Sequence, residues 1–133
     1  NPKVAIVFSV RNLLKGYANP NDSINLGLHE LAHALFYSLT YAKGKPQEIV
    51  QRTNNFTLLA LKEIENIKNN KTHIFRKYAT TNVSEFFAVA VEHFFETPQE
   101  FKHAIPHIYQ SLSELLNQDP ARKIYVVKPL HLL

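Results

Sequence analysis

Residues 26–35 read LGLHELAHAL: two histidines four apart, with a glutamate beside the first, inside an otherwise uncharged run. On a helix, residues four apart share a face one turn apart. His29 and His33 can therefore aim both imidazoles at one cation. Glu30 lies about 100° round from His29 and about 60° from His33, given the helical repeat. That is too far round to share the ion, yet within reach of a water bound to it. This is the chemistry of an HExxH motif: two neutral imidazole ligands, and a carboxylate base for a water that the metal activates. The bland reading is a surface helix that happens to carry two histidines. With 7 histidines in 133 residues a chance match is rare. The flanking Leu28, Leu31, Ala32, Ala34 and Leu35 also suit a buried helix.

Two imidazoles do not hold a catalytic zinc; a third protein ligand is needed, with the fourth position left to water. Ala34 to Thr40 contains no histidine, so that ligand must come from elsewhere. The run SEFFAVAVEHFFE (84–96) is the obvious donor. It offers Glu85, Glu92, His93 and Glu96. Glu85 and Glu92 are seven apart and share a helical face; His93 and Glu96 lie on another. The run is so apolar that most of it must be buried. A buried carboxylate needs a partner, and a zinc ion is one. His103 and His107 have Pro106 between them and read as surface residues. His73 and His131 read as loop or tail residues with no visible partner. None of these four is assigned a metal role.

The elements that must position these groups are mostly helical. KVAIVFSV (3–10) reads as a strand, and residues 11–22 hold turn chemistry at Gly16, Asn19-Pro20 and Asn21-Asp22. Asp22 or Ser23 can cap a helix over about 24–40, which Gly44 and Pro46 end. A second helix runs from Pro46 to about Lys68. Its apolar positions are Leu58, Leu59, Leu61, Ile64 and Ile67, and Glu63 and Glu65 are expected to face outward. Residues 69–72 break it, and 73–81 read as one turn followed by a loop. Asn82 and Glu85 form a capping-box pattern that opens the apolar helix. Thr97 as cap with Pro98 at the first helical position starts another. Pro106 begins one more, to about Asn117, which Asp119-Pro120 ends. KIYVV (123–127) is a short strand or a tail. The expected class is α+β, mostly α, with a short N-terminal strand region.

The bulk numbers bound the rest. At 45% hydrophobic and 20% charged, the chain has the composition of one globular domain over residues 1–133. No run approaches the roughly 18 apolar residues that span a bilayer, and no secretory signal is visible. No membrane role is expected. The net charge of +4 comes from scattered lysines, without the basic and aromatic interleaving of nucleic-acid binders. No nucleic-acid partner is expected either. There is no cysteine, so no disulfide frame and no thiolate metal site. That suits a reducing compartment, and a cytoplasmic location is expected. There is no methionine, even at position 1, and a strand-like run begins within three residues. The chain reads as part of a longer protein.

HELAHAL (29–35) and YATTNVSEFFAVAVEHFFETP (78–98) together resemble the Mlc titration factor A family of zinc peptidases. That family shows an HEFAH-type helix followed by a Tyr-Ala…Glu-x-Phe-Ala-Val-x-x-Glu-x-Phe-Phe segment. LLKGYANPNDSINLGLHE is similar to the family's run into its zinc helix. The Tyr-x6-Glu-Phe-Phe-Ala arrangement also resembles the catalytic domain of anthrax lethal factor, a gluzincin. The likeness covers about residues 8–100. It implies a zincin-like (gluzincin) catalytic domain that hydrolyses a peptide or protein substrate. It implies that His29, His33 and Glu85 ligate Zn2+, that Glu30 is the general base and that Tyr78 donates a hydrogen bond to the oxyanion. Glu92 and Asn25 would stand behind the histidines, with Glu92 fixing a tautomer.

The chain departs from the family pattern in places. The acidic residue usual after the second histidine (His-x-Leu-Asp) is absent: this chain has His33-Ala34-Leu35-Phe36. The family's tryptophans are also absent, as is its N-terminal half, so weak turnover is expected if that half completes the cleft. The alternative function is a zinc-containing, protein-binding regulatory module, because the family includes a protein whose partner is a transcriptional repressor.

Overall fold

A computed structural model describes residues 22–70 and 72–122, residues 22–26 by backbone alone. Five helices follow in order: α1 (Asp22–Tyr41), α2 (Gln47–Asn69), α3 (Val83–Glu96), α4 (Pro98–Ala104) and α5 (Pro106–Leu116). A 3-10 turn, Lys77–Thr80, joins α2 to α3, and another, Pro120–Arg122, follows α5. Among the described residues there is no strand. The strands expected at 3–10 and 123–127 lie outside them.

The expected helix boundaries hold to within two residues, and local chemistry explains them. Gly44 adopts φ +74 after α1, a left-handed turn that costs a residue without Cβ little. Asn82 caps α3, its side chain accepting from the Glu85 N–H at 2.8 Å. Pro98 and Pro106 stand in the first turns of α4 and α5, where their missing N–H is not needed. Asn117 ends α5 at φ 53, a left-handed cap that asparagine tolerates. Thr97, expected to cap α4, makes no such bond; its hydroxyl turns back to His93 instead. In 73–81 the order is the reverse of that expected: bends come first, and the single turn lies at Lys77–Thr80.

α3 is the central helix. Phe86 to Ala90 and Phe94 are fully buried, so it is covered on nearly all sides. It packs most extensively against α1, and also against the 3-10 turn, α2 and α4. Phe36 of α1 meets Phe87 of α3 with ring centroids 5.0 Å apart. Phe75, in the connection after α2, meets Phe86 at 5.3 Å.

α2 corrects the sequence reading. Its buried stripe is Thr53, Phe56, Ala60, Glu63, Ile64 and Ile67. Leu58 and Leu61, expected in the core, are 63% and 49% exposed. Glu63, expected outside, is 4% exposed. The stripe at 56, 60, 63–64 and 67 wins because it carries the phenylalanine that fills the core: Phe56 lies against Phe86 and Phe87 at 6.0 and 5.5 Å. Glu63 is carried in with the stripe, and hydrogen bonds satisfy it there: His73 Nε2 at 2.8 Å, Asn66 Nδ2 at 3.1 Å and His107 Nε2 at 3.2 Å.

Candidate metal centre

The pairing of α1 with α3 brings His29 and His33 against the first turns of α3. Leu28 and Ala32, both buried, set the rotation of α1, so the histidines beside them face α3 and an adjoining cavity. The cavity holds about 510 Å³, and His29, Glu30, His33 and Glu85 line it together with Arg76, Tyr78 and Glu92.

The histidine Nε2 atoms lie 3.1 Å apart. Glu85 reaches both: Oε1 is 2.5 Å from His33 Nε2, and Oε2 is 3.4 Å from His29 Nε2. Glu85 sits at the third position of its helix, where a capping-box glutamate would fold back onto the N-cap backbone. Here its carboxylate is turned to the histidines. The partial positive charge of the α3 N-terminus favours a carboxylate there. Burial alone would raise the pKa of Glu85; the Tyr78 hydroxyl and the neighbouring His33 and His29 outweigh it and lower it.

Behind the imidazoles, the Nδ1 atoms are engaged as well. His29 Nδ1 lies 2.6 Å from Glu92 Oε1, and His33 Nδ1 lies 2.8 Å from Ser84 Oγ. Glu92 also receives Arg76, with Nη1 2.9 Å from Oε2 and Nη2 3.3 Å from Oε1. An ionised carboxylate only accepts, so the His29 proton sits on Nδ1 and the Nε2 lone pair faces inward.

Of the four candidates on α3, Glu85 and Glu92 face the histidines and the other two do not. His93 stacks on Phe75 with ring centroids 5.0 Å apart and bonds Thr97 Oγ1 at 3.0 Å. Burial holds its pKa below the usual histidine value. Glu96 is exposed.

Tyr78 is 51% exposed at the cavity rim, with its ring centroid 6.0 Å from that of His29. The buried Ala79 anchors the 3-10 turn that presents it. A hydrogen bond to Glu85 holds its hydroxyl above the ordinary phenol pKa. Glu30 is exposed and lines the same cavity. The side chain of Asn25 lies outside the described residues.

The donor set fits a divalent cation. Two Nε2 atoms and a carboxylate converge within 4.8 Å of one another. Glu85 Oε2 is buried with no hydrogen-bond partner. The two Nε2 atoms stand 3.1 Å apart beside the Glu85 carboxylate, and nitrogen-nitrogen-oxygen donors suit zinc.

Sequence reasoning missed Ser84 and Arg76. Ser84 adjoins Glu85 and Arg76 stands two before Tyr78, so proximity to assigned residues was the available signal. His73, read as a loop residue with no visible partner, and His107, read as a surface residue, both bond Glu63.

A model of the glucose-regulated metallo-peptidase M90 family matches residues 2–116 of this chain. The chain belongs to that family. Among curated relatives, proteins named Mlc titration factor A from Escherichia coli (strain 55989 / EAEC) and Shigella flexneri are each 30% identical over 116 residues. The one from Escherichia coli O139:H28 (strain E24377A / ETEC) is 29% identical. Each alignment covers 78% of this M90 chain and 42% of the relative, so the chain spans less than half the relatives' length. No solved structure matches. The family is described as one of metallo-peptidases. No helix among the described residues is long and apolar enough to cross a membrane.

Proposed function

We propose that this chain is the zincin-like catalytic part of a zinc-dependent peptidase of the gluzincin type. The observation that carries the reading is the convergence of His29 Nε2, His33 Nε2 and Glu85 on one point, with an orphaned carboxylate oxygen beside a cavity that Glu30 and Tyr78 also line. His29, His33 and Glu85 would hold zinc. Bound zinc supplies Lewis acidity, polarising the scissile carbonyl and lowering the pKa of water to about 7. Glu30, exposed on the cavity wall, takes a proton from the attacking water and returns it to the leaving amine. The Tyr78 hydroxyl donates to the oxyanion, a role open to a phenol that is kept protonated. Glu92 and Ser84 hold the two imidazoles from behind. A peptide or protein is the substrate class.

The decisive experiment is zinc content by elemental analysis beside a peptide-library digest of wild type and Glu30→Gln. The expected result is near one zinc per chain in both, with hydrolysis by wild type alone. Wild type without zinc after reconstitution would sink the reading. Full activity in Glu30→Gln would remove the base.

The relatives' printed name, a titration factor for Mlc, supports a second reading: a zinc-containing module whose main business is a protein partner, possible without turnover. Zinc present with no hydrolysis of any library peptide would favour it.

A further inference from the structure

Arg76 enters the site from neither helix that carries the metal-facing groups. It ends the connection after α2, directly before the 3-10 turn that bears Tyr78. That connection is fixed on both sides of it. Phe75 is 2% exposed, and its backbone N–H donates to His73 Nδ1 at 2.9 Å. His73 Nε2 in turn donates to the buried Glu63. On the other side Ala79 is fully buried. From this anchored point the guanidinium reaches both oxygens of Glu92, and one of them, Oε1, is the oxygen that accepts from His29 Nδ1.

A glutamate side chain has several rotamers, and the neighbouring cavity gives this one somewhere to go. Two bonds to a planar guanidinium select one rotamer; a single bond to an imidazole does not. Released from that fork, Glu92 can leave His29, and a free imidazole in water favours the opposite tautomer, with its proton on Nε2. That proton would occupy the nitrogen that faces His33 and Glu85.

We propose that Arg76 is a positioning residue of the metal centre: it clamps Glu92 so that His29 is held as the Nδ1–H tautomer with its Nε2 lone pair presented beside His33 Nε2 and Glu85. The purpose of this clamp rests on the peptidase reading. The tautomer itself is a property of the metal-free chain. Arg76 also lies 5.9 Å from the Tyr78 ring centroid, so an effect through Tyr78 has to be told apart.

The test reads the histidine tautomer by 15N-detected NMR of the metal-free protein at about pH 8, above the usual imidazole range. Zinc affinity is measured in parallel by competition with a chromophoric chelator. Wild-type His29 is expected as Nδ1–H alone. Arg76→Gln should show a mixture with Nε2–H and bind zinc about tenfold more weakly, the usual scale for a group that orients a ligand. Arg76→Met keeps the aliphatic stem and should behave as Arg76→Gln does, which separates the clamp from packing. Arg76→Lys keeps the charge without the fork and should fall between them and wild type. Unchanged tautomer and affinity in Arg76→Gln and Arg76→Met would overturn the proposal; so would a fall in kcat alone, which would assign Arg76 to Tyr78. Nε2–H at His29 in wild type would overturn it too. A wild type that binds no zinc sinks the peptidase reading instead, and the tautomer comparison still decides the clamp.

Discussion

Two clusters in this molecule have the same composition and opposite character. One joins His29, His33 and Glu85; the other joins His73, His107 and Glu63. In the second, both carboxylate oxygens are met by donors. The Phe75 N–H donates to His73 Nδ1, which leaves His73 Nε2 to donate to Glu63. The other Glu63 oxygen takes Asn66 and His107. Proton donors meet an acceptor. In the first, the Nδ1 atoms are engaged behind the rings, the Nε2 atoms face each other, and a carboxylate oxygen has no partner. Two histidines and a glutamate therefore make a metal site only when the inward nitrogens carry lone pairs. What stands behind each ring decides that.

The comparison can be broken most severely at the ligands. His33→Ala or Glu85→Ala should take zinc from near one per chain to near none, because two protein ligands do not hold it. His73→Ala should leave zinc content unchanged. Elemental analysis after dialysis separates the two, and zinc lost equally from all three would merge the clusters into one structural unit. Next in size, Tyr78→Phe should keep zinc and lower kcat about 100-fold with little change in KM, since it removes a donor that acts on the oxyanion. Steady-state kinetics on a cleaved library peptide reads this, and an unchanged kcat would return Tyr78 to the role of a rim residue.

Glu63→Gln sharpens the other side. It should cost about 2 kcal/mol of stability, measured by denaturant, because it turns one of two buried accepting oxygens into a donor that faces a donor. Zinc content should not move. The cost also depends on pH. Burial would raise the pKa of Glu63, but bonds from His73, Asn66 and His107 outweigh it, and the carboxyl titrates below its ordinary value. A lowered folded-state pKa stabilises above the unfolded value and is lost as pH falls through the folded one. The gap between wild type and Glu63→Gln should therefore narrow as the pH falls below the ordinary carboxylate range. A gap that widens on acidification would mean that the buried carboxyl is held protonated.

The smallest effect tests the corrected helix face. Leu58→Lys on the outer side of α2 should change stability by less than about 0.5 kcal/mol, as surface substitutions do. A loss of several kcal/mol would restore Leu58 to the core.

What could be read from the sequence was local. The spacing of His29, Glu30 and His33 put the two imidazoles on one helical face, and seven-residue spacing put Glu85 and Glu92 together, because both follow from helix geometry alone. Asn82, Pro98, Pro106 and Gly44 marked helix ends for reasons contained within a few residues. The rotation of α2 was not local. Its leucines at 58 and 61 compete with a stripe through Phe56, and only the aromatic rings of α3 decide which stripe is buried. Burial of Glu63 followed from that rotation, and its tolerance depends on histidines 10 and 44 residues away. Helix geometry could not choose between Glu85 and Glu92 either. Tertiary structure separates them: packing of α1 on α3 sets Glu85 against the Nε2 atoms and Glu92 behind His29, where Arg76 meets it from a third segment. Sequence fixes which face of a helix a side chain occupies; only packing fixes what that face meets.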